Sequence, residues 1–171
     1  MRTSTSNRSR NRRHLQILRS NTIFRAMDAT APIPDRFASY AVGQTASVTR
    51  TVLDMDVVLF ATITGDANPV HLDEAAGARA GFGGRIAHGA LTVGFVSAAM
   101  GMHLPGPGAV YLTQSVRFLR PVRIGDAITT TVEIVEIQAE KRELRLSTEC
   151  RNQKGKRVLE GEAVVLVPRE S

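Results

Sequence analysis

From Gly89 to Met100 the chain runs almost without a polar residue. Leu91, Val93, Phe95, Val96, Ala99 and Met100 leave a helix over this segment no wet face. A helix apolar all round must be covered on nearly every side, and in a chain of 171 residues a curved sheet is the economical cover. The second half supplies one: 111–119, 127–137, 144–151 and 158–167 read as four strands, separated by turn signals at 121–125, 140–142 and Gly155. In the third of these, Leu144, Leu146, Thr148 and Cys150 alternate with Arg145, Ser147, Glu149 and Arg151, so one face is dry and the other wet. Upstream, 47–52 alternates weakly as a short strand. Asp54 is placed to cap a helix through Ile63, with Val57, Val58, Phe60 and Ala61 at helical spacing. The run 64–69 breaks that helix, and 73–80 makes a short one ended by Gly81, Gly83 and Gly84. A buried helix with a half-wet sheet predicts an α+β domain built on an antiparallel sheet.

Composition narrows the class. With 43% hydrophobic and 22% charged residues the chain is globular. A lone cysteine, Cys150, excludes a disulfide framework and a cysteine-rich metal site. The longest apolar stretch, 87–102, is broken by His88 and by glycines and is too short to span a bilayer, so no integral membrane segment is expected. A net charge of +6 suggests nucleic acid, but residues 1–27 hold seven arginines and no acid, which leaves 28–171 at −1. The domain at 31–171 is thus near neutral and is not expected to bind nucleic acid. The basic extension over 1–30 keeps three readings: a disordered segment ahead of a start at Met27, a transit peptide, or a nucleic-acid-binding arm. The expected compartment is the cytoplasm, or the mitochondrial matrix if 1–27 is a transit peptide.

Two short islands carry the candidate chemistry. In the first, Asp66 and His71 stand five residues apart across a turn stiffened by Pro69. That spacing can aim both side chains at one point, as a general base and a polar partner require; equally, Asp66 could cap the turn while His71 packs. The second runs from Arg85 through His88 to Gly89 and opens the apolar helix. A helix start presents unpaired N–H groups, and glycine lets a substrate oxygen approach them; equally, Gly89 could relieve crowding where the helix enters the sheet. The histidines His14, His71, His88 and His103 lack metal spacing, no phosphate-binding or dinucleotide glycine loop follows a strand, and Ser97 has no nucleophile elbow.

Taken together and in order, the segments 60–73 and 82–91 resemble the MaoC-like, or (R)-specific enoyl-CoA hydratase, family. Pro105–Gly108, Phe118–Val122 with Gly125–Asp126, and Gly161–Ala163 match it further. The resemblance implies a hot-dog fold, a long central helix enclosed by an antiparallel sheet, and a homodimer with active sites near the interface. It implies Asp66 and His71 as the catalytic pair, Gly89 as the oxyanion residue, and Asn68 and Ser97 in support. The implied reaction is syn addition of water to a trans-2-enoyl thioester, with neither metal nor redox cofactor, CoA being part of the substrate. Arg85 and His88 are then expected at the substrate. Two other functions stay open: a 3-hydroxyacyl-ACP dehydratase, and a non-catalytic thioester-binding subunit.

Overall fold

The computed structural model describes residues 36–169, so the expectations placed on the basic extension at 1–30 lie outside the described residues. Strands β1 (Thr45–Thr51), β2 (Val110–Phe118), β3 (Ala127–Gln138), β4 (Glu143–Arg151) and β5 (Arg157–Leu166) form one antiparallel sheet in the order β1-β3-β4-β5-β2. The four strands expected in the second half lie within one residue of their expected bounds. Their alternation sets the register: Leu146 stands opposite Ile134, Thr148 opposite Val132 and Cys150 opposite Thr130, all on the buried face. The two polar members of this row are accommodated by hydrogen bonds. Thr130 shares a contact of 3.4 Å with the Cys150 sulfur, and Thr148 accepts from Gln114. Burial raises the pKa of the Cys150 thiol, which keeps it a packing group rather than a nucleophile.

The helices are α1 (Asp54–Thr64), α2 (Pro69–Leu72), α3 (Glu74–Arg79) and α4 (Gly89–Met102). The all-apolar helix is α4, and it presses Thr92, Phe95, Val96, Ala99 and Met100 onto the sheet. Its enclosure differs from the expectation in one respect. Ala90, Gly94, Ser97 and Ala98, on the side away from the sheet, are exposed in the single chain, because the sheet curves around only one side of the helix.

The start of α1 also differs. Leu53 occupies the cap position, and the Asp56 carboxylate accepts its N–H at 2.9 Å. Asp54 is instead the first helical residue and turns its carboxylate toward Arg85. Gly65 ends α1 in the left-handed region at φ 77° and returns its N–H to the Ala61 carbonyl. The tight turn it permits delivers Asp66 beside the start of α4. No helix among the described residues is long and apolar enough to cross a membrane.

Candidate active site

The turn after α1 is built by its own side chains. Asp66 Oδ1 accepts the Asn68 N–H at 3.3 Å, and Asn68 Oδ1 in turn caps α2 through the Val70 N–H at 3.3 Å. Pro69 at the first helical position needs no donor, so four residues suffice for a stable turn of helix ending near His71. The sequence pattern reads this stretch only as a break. A helix of one turn has no period to recognise.

The segment before α4 closes over this turn. Ile86 donates its N–H to the Val70 carbonyl at 3.2 Å, and Ala87 donates to the Val122 carbonyl at 2.8 Å. His71 is thereby buried to 9% exposure, with Nδ1 lying 2.8 Å from the Ile86 carbonyl oxygen. A carbonyl can only accept, so Nδ1 carries the hydrogen and the neutral ring keeps its lone pair on Nε2. That is the tautomer a general base needs. The group that fixes it is a backbone carbonyl, which no side-chain pattern in the sequence could reveal.

Asp66, by contrast, keeps a side chain 51% exposed, and its carboxylate, His71 and His88 each bring one polar atom within 4.8 Å of the others. Both readings of the Asp66–His71 island therefore fit: one carboxylate oxygen serves the turn, and the group still stands beside the imidazole.

His71 and Gly89 line one cavity of about 340 Å³ with Phe82, Thr92, Phe118 and Arg120. Gly89 is the first residue of α4, so its N–H has no intrahelical acceptor. A Cβ on Gly89 would lie 3.0–3.1 Å from the Phe118 ring, which supports the crowding reading of this glycine and leaves its amide beside the cavity. Phe118, exposed at the end of β2, is a cavity residue that the sequence pattern gives only as a strand position.

The remaining expected residues have other surroundings. Arg85 donates through Nε to the His71 carbonyl at 2.7 Å and through Nη1 to Asp54 at 2.6 Å, while its backbone N–H meets Glu74 at 3.0 Å. Its guanidinium braces α2 against the start of α1. His88 is 2% exposed, with Nε2 at 2.9 Å from the Asp66 carbonyl oxygen, and is engaged with the protein itself. Ser97 sits on the exposed side of α4 and is not among the residues lining the His71 cavity.

Among the described residues, the same trio of Asp66, His71 and His88 is the group of side chains that could hold a metal ion. His71 spends Nδ1 and His88 spends Nε2 on carbonyl oxygens, and the two rings stack at 3.8 Å. Acid–base work on a bound water would call on Asp66 and His71 alone.

The model of the MaoC-like domain matches residues 38–154. A 3-hydroxybutyryl-CoA dehydratase of Methylorubrum extorquens is 48% identical over 134 residues, covering 78% of this chain and 85% of its own. An (R)-specific enoyl-CoA hydratase of Rhodospirillum rubrum is 44% identical, covering 83% of this chain and 98% of its own. Among solved structures, the unliganded R-hydratase PhaJ1 from Pseudomonas aeruginosa superposes with a TM-score of 0.75 at 45% identity, covering 81% of this chain and 88% of that one.

Proposed function

This chain belongs to the MaoC-like domain family, and on that footing we propose that it is an (R)-specific enoyl-CoA hydratase, adding water reversibly to trans-2-enoyl-CoA to give (R)-3-hydroxyacyl-CoA. The observation that carries the reading is His71, held as the Nδ1–H tautomer by the Ile86 carbonyl, beside a carboxylate and in one cavity with the first amide of a helix. In the proposed reaction a water lies between Asp66 and His71 and loses a proton to the pair as its oxygen attacks C3. Charge moves onto the thioester oxygen, where the Gly89 N–H receives it; a donor of this kind contributes about 3–4 kcal/mol. The pair then returns a proton to C2 on the same face, which makes the addition syn. The C–O bond at C3 forms as the C2=C3 π bond breaks, H and OH are added with no net change of oxidation state, and the proton transfers fall to Asp66 and His71, so the reaction as proposed calls on neither metal nor redox cofactor. Asn68 supports the pair by capping α2.

Hydration of crotonyl-CoA, followed by loss of enoyl absorbance and by chiral analysis of the product, tests this. The expected product is the (R)-alcohol, and Asp66→Asn and His71→Ala should each lose activity. Normal turnover in both variants would remove the mechanism. Presenting the same acyl group on acyl carrier protein distinguishes a hydratase of free CoA esters from a dehydratase of acyl-ACP.

The assembly proposed is a homodimer. Among the described residues β2 pairs only with β5, which leaves its other edge unpaired with Val110, Leu112 and Phe118 exposed on that strand, and the bare face of α4 adds a second uncovered surface. Sedimentation at twice the chain mass is the expected result. The proposed compartment is the cytoplasm, with the mitochondrial matrix as the alternative that an N-terminal sequence of the mature protein would establish.

A further inference from the structure

We infer that His88 is a positioning residue of this site, one that holds the Asp66 turn and backs the His71 ring so that the two groups sharing the water stay aligned. The inference rests on the hydratase reading and gives His88 a task other than meeting substrate.

The turn at 65–68 is otherwise bonded only to itself and to the adjoining ends of α1 and α2. Gly65 returns to Ala61, Ala67 to Gly65, Asn68 to the Asp66 carboxylate, and Asp66 to the Thr64 hydroxyl. Among the described residues, the one hydrogen bond that joins this turn to a distant part of the chain runs from His88 Nε2 to the Asp66 carbonyl oxygen at 2.9 Å. Its carboxylate approaches the same nitrogen at 4.0 Å. This bond is the turn's tie across to the start of α4, and without it the Asp66 carbonyl is free to shift and to carry the Asp66 side chain with it.

The other half of the task belongs to the ring. His88 lies between Phe60, 4.7 Å away centroid to centroid, and His71, 3.8 Å away and tilted by 34°. His71 therefore has a flat wall on one side and the Ile86 carbonyl at its edge, which leaves it little freedom to swing.

The chemistry of His88 itself permits one arrangement. The Asp66 carbonyl can only accept, so Nε2 carries the hydrogen. Nδ1 is buried and has no partner, so a second hydrogen there would be an unpaired donor shut away from water. His88 is accordingly an Nε2–H donor whose Nδ1 is shut away from water, and it serves as a fixed strut rather than a second base.

Two substitutions separate the bond from the ring. His88→Phe keeps a ring between Phe60 and His71 but removes the donor, whereas His88→Gln offers an amide N–H at about the reach of Nε2 without the ring. For His88→Phe a fall in kcat of about 100-fold is expected with KM for crotonyl-CoA nearly unchanged, because misplacing a reacting group costs the transition state rather than the bound substrate. His88→Gln should recover about tenfold of that loss by restoring the bond. A wild-type kcat in folded His88→Phe, or a change confined to KM, would overturn the inference.

The folded wild-type protein supplies an independent check. The ¹⁵N resonances of the His88 ring should report the Nε2–H tautomer, and an Nδ1–H ring would overturn the inference even if neither variant folds. Failure of the wild-type protein to hydrate crotonyl-CoA would instead remove the hydratase reading, a result distinguishable from either of these.

Discussion

Two residues near the cavity have work that only their contacts disclose, and both can be probed singly. Arg85 stands where an arginine could meet the phosphates of a carrier, yet its guanidinium is committed to the His71 carbonyl and to Asp54. The ion pair with Asp54, whose side chain is largely exposed, adds little, whereas the bond to the backbone of α2 is shielded. Arg85→Met is expected to destabilise the fold by about 1.5–3 kcal/mol, read as a shift in chemical denaturation. It should also lower turnover of crotonyl-CoA and of a phosphate-free crotonyl thioester by the same factor. A loss confined to the CoA ester would return Arg85 to the carrier. Gly89→Ala brings a methyl to 3.0–3.1 Å from the half-exposed Phe118 ring and should cost at the low end of the overpacking range, about 1 kcal/mol of stability. Phe118→Leu in the same chain should restore most of it, as a thermal melt would show.

Among the elements, strands and the long helix were legible in the sequence because each repeats its signal. β4 alternates across its whole length, and α4 is apolar over three turns, so the buried pattern survives any local exception. What could not be read was held by single contacts. α2 is one turn long, the cap of α1 falls to Asp56 rather than Asp54, and the bond from Arg85 to Asp54 joins positions far apart in the chain. The candidate site divides in the same way. Asp66, His71 and Gly89 stand out by residue type and spacing, but the Ile86 carbonyl, Phe118 and the burial of His88 depend on the closed fold.

β4 also carries a pH prediction. Burial raises the Cys150 thiol, and burial likewise raises the Tyr111 hydroxyl on β2, which lies beyond β5 in the same sheet. Both groups are neutral in the fold, so their contribution is complete at neutral pH. It is lost as pH climbs through the ordinary thiol and phenol ranges, where the unfolded chain gives up the protons first. Denaturation midpoints should therefore fall above about pH 8.5. Cys150→Ala should flatten the earlier part of that fall; an unchanged slope would contradict it.

At the level of the whole molecule, charge and assembly are separable. The positive balance belongs to residues 1–27, and the remainder sums to −1. Removing 1–27 is expected to leave crotonyl-CoA hydration unchanged while abolishing any salt-sensitive binding to DNA, which titration at two ionic strengths would show. The open edge of β2 bears on assembly instead. Leu112→Lys places a charge on that strand and should shift sedimentation from the proposed dimer to monomer. Activity should fall with it, since Phe118 closes the same strand and lines the cavity.

The ribbon from Ile86 to Gly89 has a consequence for how the site tolerates motion. Its first carbonyl sets the His71 tautomer, its His88 ring holds the Asp66 turn, and its last amide opens α4. In the proposed reaction, proton removal and charge acceptance are both referenced to one piece of chain spanning at most about 10 Å. Their separation is thus written into bond lengths and angles, like two marks on one ruler. Slow breathing of the sheet can carry the ruler along without changing the distance between the marks.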